Sequence, residues 1–183
     1  RELRAAMAQH QARAASAIVL DARSGEVLAM VNEPGFNPNN RANLASSRFR
    51  NRAVTDSFEP GSTVKPFTIA AALDSGKFAP NTPVDTAPGL MMVGRNAVRD
   101  QHNYGLITVA QVLEKSSNVG AARIALALNR DSIRDMLVRA GFAAVPGSGL
   151  PGEASGRMNP PSRVPIELAT LAYGYGISVT PLQ

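Results

Sequence analysis

Ser62 and Lys65 stand three positions apart in Glu59-Pro60-Gly61-Ser62-Thr63-Val64-Lys65-Pro66, just ahead of the apolar run Phe67-Thr68-Ile69-Ala70-Ala71-Ala72-Leu73. Positions i and i+3 of a helix share a face, which makes Ser62 a candidate nucleophile and Lys65 its base. Composition sharpens the point. The chain draws its basicity from 16 Arg and has only three Lys: Lys65, Lys77 and Lys115. Arg stays protonated at any relevant pH, whereas a desolvated Lys can give up its proton and act as a base. The same four letters also suit a helix cap at Ser62 and a solvated first-turn Lys65. The flanks favour chemistry. Gly61 permits unusual backbone geometry before Ser62. Pro66 is tolerated only in a first turn, so the sequence predicts a helix from Ser62 to about Ser75, closed by Gly76. The hydroxyl then lies at the positive end of the helix dipole.

Other elements must position that pair. Arg1 to about Ala15 is Ala-rich, with Leu3, Ala6, Met7 and His10 on one helical face. Ala17–Asp21 and Glu26–Val31 read as strands of a hairpin turned at Gly25. Their near-continuous apolar character predicts cover on both faces. Asn32–Arg52 reads as a long ordered connection, and 77–103 as loops with short strands. Thr108-x-x-Gln111 is a capping box for a helix to about Glu114. A second helix is expected from Val119 to about Asn129. A third is expected after Asp131 as cap, ending at Gly141. Residues 145–161 read as loop, and Pro165 opens a final helix that ends near Gly174-Tyr175-Gly176. A strand pair followed by a mostly helical block is α+β with half a sheet absent.

At 183 residues and 44% hydrophobic content, the chain is long enough for one sizeable core. The net charge of +5 is spread over single Arg residues, with a minor concentration at Arg48, Arg50 and Arg52. No basic stripe interleaves with aromatics, so nucleic-acid binding is not expected, while a mildly basic surface suits an anionic polymer. The absence of Cys excludes disulfides and thiolate metal sites. His10 and His102 have no Asp or Cys spacing that suggests a triad or a metal, so no metal and no cofactor is expected. No apolar run is long enough for a membrane span or a signal peptide. The chain starts inside a helix-like segment and stops at Thr180-Pro181-Leu182-Gln183, itself a helix start, so it reads as a piece of a longer protein.

Ser116-x-Asn118 lies between two expected helices. Alone it reads as capping, by Ser116, Ser117 or Asn118. With Ser62-x-x-Lys65 it gives two of the three elements shared by penicillin-binding proteins and class A β-lactamases, in the right order. Longer strings resemble one branch. Asp21-x-x-x-Gly25-Glu26-Val27-Leu28-Ala29-Met30, Asn37-Pro38-Asn39-Asn40-Arg41, Glu59 to Phe67, Lys115-Ser116-Ser117-Asn118-Val119-Gly120 and Leu171-Ala172-Tyr173-Gly174-Tyr175-Gly176 are similar to the transpeptidase domain of class B penicillin-binding proteins. Within that family the division-specific (septal) enzymes of Gram-negative bacteria resemble it most.

The resemblance implies a penicillin-binding/serine β-lactamase-like transpeptidase fold: a helical lobe plus part of an antiparallel sheet, with C-terminal strands missing. It implies a transpeptidase domain over 1–183, with 1–54 as helix, hairpin and connection and 55–183 as the mainly helical lobe. Ser62 would attack the D-Ala-D-Ala carbonyl of a peptidoglycan stem peptide, and the amine of a second stem peptide would resolve the acyl-enzyme. Lys65 would take the Ser62 proton. Ser116 would relay a proton to the leaving group, and Asn118 would bind the substrate amide and help hold Lys65. β-Lactams would acylate Ser62. Implied too are cell-division partners and attachment to the inner (cytoplasmic) membrane through an N-terminal anchor, with the domain in the periplasm.

No Lys-Thr-Gly or Lys-Ser-Gly occurs. In the family that strand anchors the substrate carboxylate and supplies one of two oxyanion donors, the other being the Ser62 N–H. The fragment is therefore expected to be an impaired enzyme, since one lost donor costs on the order of 10²–10³ in rate. Two rivals stand beside this reading. A serine β-lactamase needs a base for deacylation, and the only Glu residues after Asn118 are Glu153 and Glu167, neither in a Glu-x-x-Leu-Asn context. A sensor domain that only binds β-lactams is the non-enzyme alternative. Phe67, Phe142, Tyr173 and Tyr175 are expected as core or helix-packing residues. Lys115 either faces the cleft or is an exposed helix-end cation.

Overall fold

Turn-forming residues break this chain into short elements, and the computed structural model describes residues 1–37, 39 and 49–183. Pro38, Asn40 and Arg41 of the Asn37–Arg41 string, the middle of the Asn32–Arg52 connection, and Arg48 lie outside the described residues. By its contacts the chain divides into two compact units. One comprises residues 1–58, 145–156 and 179–183; the other comprises 59–144 and 157–178.

In the first unit, α1 (Glu2–His10) is shorter than the Ala-rich sequence suggests. Gln11 adopts a left-handed conformation (φ 51°), and the Ala12 N–H bonds the Met7 carbonyl, so the helix closes there. Strands β1 (Ala15–Leu20) and β2 (Val27–Glu33) form an antiparallel hairpin with Ile18 opposite Met30. The Asp21 carboxylate accepts hydrogen bonds from the Arg23 and Ser24 N–H groups and from Ser24 Oγ, which fixes the turn and lowers its pKa. Among the described residues nothing covers both faces: Val19 is 53% and Leu28 60% exposed. A continuous apolar run reports the character of a strand, whereas what lies over it depends on elements elsewhere in the chain. Here α1 and the short α2 (Arg52–Thr55) pack on the hairpin. Asn32 ties the unit together: its Oδ1 accepts from Ser16 Oγ (2.7 Å) and the Ala53 N–H (2.9 Å), and its Nδ2 donates to Asn51 Oδ1 (2.8 Å). Arg50 and Arg52, expected as a small basic concentration, both pair with Asp56 at 2.8 and 3.0 Å.

The second unit is the helical one. A single 3₁₀ turn (Gly61–Val64) leads into α3 (Lys65–Asp74). Strand β3 (Pro83–Asp85) pairs with β6 (Leu106–Thr108), and β4 (Leu90–Val93) with β5 (Asn96–Arg99), both antiparallel. The capping box is present in both directions: the Gln111 N–H donates to Thr108 Oγ1 and the Thr108 N–H to Gln111 Oε1, opening α4 (Val109–Glu114). Then follow α5 (Asn118–Ala127), α6 (Ser132–Arg139) and α7 (Pro165–Leu171). Asp131 occupies the cap position of α6, but its side chain makes no capping bond. The expected loop between 145 and 161 contains a two-residue strand, β7 (Arg157–Met158), paired with β8 (Ile177–Ser178).

Helix α5 lies at the centre of the second unit, against α3, α4 and α7. Its small residues allow this. A Cβ on Gly120 would sit 2.5 Å from Val112 Cγ2, so α4 and α5 approach closely only with glycine there. Val93, Val98, Val119, Ala122, Ala169 and Tyr173 form the core that joins the β4–β5 hairpin to α5 and α7. Burying these side chains supplies about 25 cal/mol per Å² of apolar surface, and it holds the end of β5 over the first turn of α5.

Candidate active site

Ser62 and Lys65 meet through a 3₁₀ turn, where the sequence predicts an α-helix. Pro66 has no N–H to give the Ser62 carbonyl, so that carbonyl accepts from the Lys65 N–H instead, and the α-helix begins only at Lys65. In a 3₁₀ turn residues i and i+3 eclipse one another. Lys65 Nζ accordingly lies 3.1 Å from Ser62 Oγ. Ser62 is exposed, whereas the Lys65 side chain runs inward and leaves the residue 1% exposed.

The second cluster arises from a reversal between α4 and α5. Ser116 takes a left-handed conformation (φ 55°), and the Ser116 and Ser117 N–H groups bond the Leu113 and Val112 carbonyls, terminating α4. Ser117 is the cap of α5, accepting the Gly120 N–H at 2.8 Å. The sequence left three candidates for that cap. With Ser117 taking it, its neighbours Ser116 and Asn118 are free to face Lys65. Lys65 Nζ donates to Ser116 Oγ (2.9 Å), to Asn118 Oδ1 (2.8 Å) and to the Ser116 carbonyl. The Asn118 amide is oriented by its other end, since Nδ2 donates to the Arg99 carbonyl at 3.1 Å. The structure thus brings together all four residues singled out: Ser62, Lys65, Ser116 and Asn118.

The chemistry follows from counting protons. Four oxygens surround one amine, and two of them, the Ser116 carbonyl and Asn118 Oδ1, can only accept. A neutral amine has two N–H groups for those two acceptors and one lone pair. The lone pair then faces hydroxyls that can donate, Ser62 Oγ–H and Ser116 Oγ–H. Burial favours this neutral form and lowers the Lys65 pKa from its ordinary 10.5 to about 8, opposed by the negative charge of Asp100. An amine so placed can withdraw a proton from one hydroxyl and return it through the other.

Asp100 belongs to neither sequence motif. It follows β5 directly, and its carboxylate accepts from Ser117 Oγ (2.6 Å), the Asn118 N–H (2.5 Å) and the Val119 N–H (3.0 Å). Lys115 is an exposed helix-end cation, 5.9 Å over the Tyr104 ring, and His102 packs edge-on against the same ring. Of the aromatics, Phe67 and Phe142 stack edge-to-face at 5.0 Å and Tyr173 is buried, as packing residues should be. Tyr175 differs: it is 49% exposed and lines a shallow cleft with Arg134, Met158, Pro161 and Leu171. Glu153 accepts from the Ser148 N–H and hydroxyl within its own loop, and Glu167 lines the same cleft as Tyr175.

The penicillin binding protein transpeptidase domain family matches residues 15–183. The chain is similar to the probable peptidoglycan D,D-transpeptidase PenA of Neisseria gonorrhoeae, with 42% identity over 183 residues, 100% of this chain and 31% of that protein. It is also 42% identical over 184 residues to the peptidoglycan D,D-transpeptidase FtsI of Escherichia coli K12, again covering 100% of this chain and 31% of the relative. Among solved structures, the apo TP domain of penicillin-binding protein 3 from Burkholderia pseudomallei superposes with a TM-score of 0.85 at 40% identity, over 97% of this chain and 50% of that one. A Burkholderia ambifaria crystal structure described as a peptidoglycan glycosyltransferase gives a TM-score of 0.86 at 41% identity, over 97% and 52%. The α+β fold expected from the sequence is therefore the one these structures have, and the chain spans 31% of the length of each of these two curated relatives.

Proposed function

Since this chain belongs to the penicillin binding protein transpeptidase domain family, we propose that it is part of a longer peptidoglycan D,D-transpeptidase that cross-links stem peptides through an acyl-enzyme on Ser62. The observation that carries the reading is the buried Lys65 amine, held by two obligate acceptors with Ser62 Oγ 3.1 Å away. Neutral Lys65 takes the Ser62 proton as Oγ attacks the carbonyl of the penultimate D-Ala. The proton then passes through Ser116 Oγ to the departing D-Ala amine, and the C–N bond breaks. The amine of a second stem peptide attacks the ester and its proton returns to Ser62 by the reverse path. One Asn118 Nδ2 hydrogen is taken by the Arg99 carbonyl, leaving the other for a substrate carbonyl.

β-Lactams, which resemble the D-Ala-D-Ala terminus, are the proposed inhibitors. Septal division proteins are the proposed partners. Anchoring in the inner membrane, with this domain in the periplasm, is the proposed location; among the described residues no helix is long and apolar enough to cross a membrane. The whole domain is taken to include a third, cationic motif that these 183 residues lack.

The test uses the full-length protein. A penicillin should leave a long-lived mass adduct on the Ser62 peptide, and a stem peptide ending in D-Ala-D-Ala should release D-Ala and form cross-linked dimer. Fast hydrolysis of the adduct would make the protein a β-lactamase; an adduct without D-Ala release would make it a sensor.

A pH profile follows from the Lys65 pKa. The amine is active when neutral, and its pKa is lowered to about 8. The penicillin acylation rate constant should therefore rise about tenfold per pH unit below about pH 8 and level off above it. With an ordinary lysine near 10.5 the rise would continue past about pH 10. A flat profile between about pH 6 and about pH 8 would exclude Lys65 as the base.

A further inference from the structure

Three of the four oxygens around Lys65 Nζ come from one short turn, Ser116 to Asn118. That turn contains a left-handed Ser116, a conformation that a non-glycine residue holds only when its surroundings over-determine it. What fixes it lies outside the two motifs. Arg99 and Asp100, at the end of the β4–β5 hairpin, grip three consecutive residues. The Arg99 carbonyl accepts from Asn118 Nδ2, and the Asp100 carboxylate accepts from Ser117 Oγ, the Asn118 N–H and the Val119 N–H. Ser117 Oγ gives its proton to Asp100 and accepts from Gly120, so its rotor has a single setting.

Asp100 is itself held in place. Its N–H donates to the Gly89 carbonyl (2.9 Å), and the Gly89 N–H donates to the Thr86 carbonyl (2.7 Å). The His102 carbonyl comes so close that a Cβ on Gly89 would lie 2.9 Å from it. The hairpin behind Asp100 is anchored by buried Val93 and Val98. A carboxylate with so many charge-assisted bonds to one turn sets that turn's position, and each such bond is stronger than a neutral one.

We infer that Asp100 is a positioning residue for acyl transfer: through Ser117 and the Asn118 and Val119 N–H groups it aligns Ser116 and Asn118 on Lys65. The inference rests on the proposed acyl-transfer reading. The negative charge of Asp100 also raises the Lys65 pKa against the effect of burial, which gives the test a second readout. Arg99 and His102 are exposed, and Lys115 is drawn over Tyr104. A cap that only stabilised α5 would not carry the second effect.

The test compares wild type, Asp100→Asn, Asp100→Glu and Ser117→Ala in the full-length protein, reading penicillin acylation against pH together with the melting temperature. Asp100→Asn should lower the plateau rate about 10²-fold, as a displacement of about 1 Å in the turn would. It should also move the profile midpoint below that of wild type, because the charge that favours protonated Lys65 is gone. Asp100→Glu should restore the midpoint but not the plateau. Ser117→Ala, which keeps the charge and both backbone bonds, should lower the plateau about tenfold with the midpoint unmoved; it also carries the test if Asp100→Asn does not fold. A fall in melting temperature with plateau and midpoint both at wild-type values would reduce Asp100 to a helix cap and overturn the inference. Failure of wild type to be acylated at all would instead remove the acyl-transfer reading on which it rests.

Discussion

Ser62→Ala is expected to abolish covalent labelling by a fluorescent penicillin, and Lys65→Arg to slow it by about 10²–10⁴-fold, the range a positioned general base supplies. The Arg variant is the more informative of the two. It keeps the positive charge and can still donate to the Ser116 carbonyl and Asn118 Oδ1, the two oxygens that only accept. It cannot present a lone pair to Ser62 Oγ at any relevant pH. If Lys65 served only as a cation that steadied the Ser116–Asn118 turn, Arg would preserve most of the rate. Labelling kinetics at saturating pH, alongside circular dichroism to confirm folding, separate the two cases. Near wild-type labelling by Lys65→Arg would end the role of Lys65 as base.

That pair was legible in the sequence because its signals are local. A Ser three residues before a rare Lys, a Gly before it and a Pro after it constrain a single turn, and no distant contact is needed to interpret them. The turn type was less legible. Pro66 predicts the start of an α-helix at Ser62, whereas its missing N–H leaves the Ser62 carbonyl to Lys65 and makes the turn 3₁₀. The Ser116–Asn118 triplet was visible too, but which member caps α5 depends on Asp100, a residue brought in by a hairpin of two four-residue strands. Strands that short show no usable alternation, so 77–103 reads as loops with short strands whose places and pairing stay open, and nothing in it marks Asp100. The capping box at Thr108 and Gln111 came through intact, since its reciprocal bonds are set by two residues three apart. Tyr173 and Tyr175 looked alike in sequence; one is buried and the other 49% exposed.

Gly174→Ala should be among the most damaging single-methyl changes in the helical unit, although the residue belongs to neither motif. A Cβ there would lie 2.0 Å from the Gly61 carbonyl oxygen and 2.5 Å from the Gly61 nitrogen. Gly61 immediately precedes Ser62, and its N–H donates to the Gly174 carbonyl at 3.3 Å. Nor can the segment around Gly174 withdraw easily, because the Ala172 carbonyl accepts the buried Thr68 hydroxyl of α3 at 2.9 Å. Two costs therefore add. Gly174 has φ +89°, where an L-residue pays about 1–2 kcal/mol, and overpacking against backbone costs about 1–3 kcal/mol more. The sum, roughly 2–5 kcal/mol, is a large share of the 5–15 kcal/mol that holds a typical domain together. The control is Gly61→Ala. Its φ is +60°, but a Cβ there meets nothing within 4 Å, so only the conformational cost of about 1–2 kcal/mol applies. In molecules that remain folded, displacing Gly61 should also shift Ser62 off its line to Lys65 and cost about 10² in acylation rate. Urea unfolding and penicillin acylation of the two variants measure both effects. Equal stability of Gly174→Ala and Gly61→Ala, with equal acylation, would show that the contact between these two glycines does not hold the nucleophile turn in place.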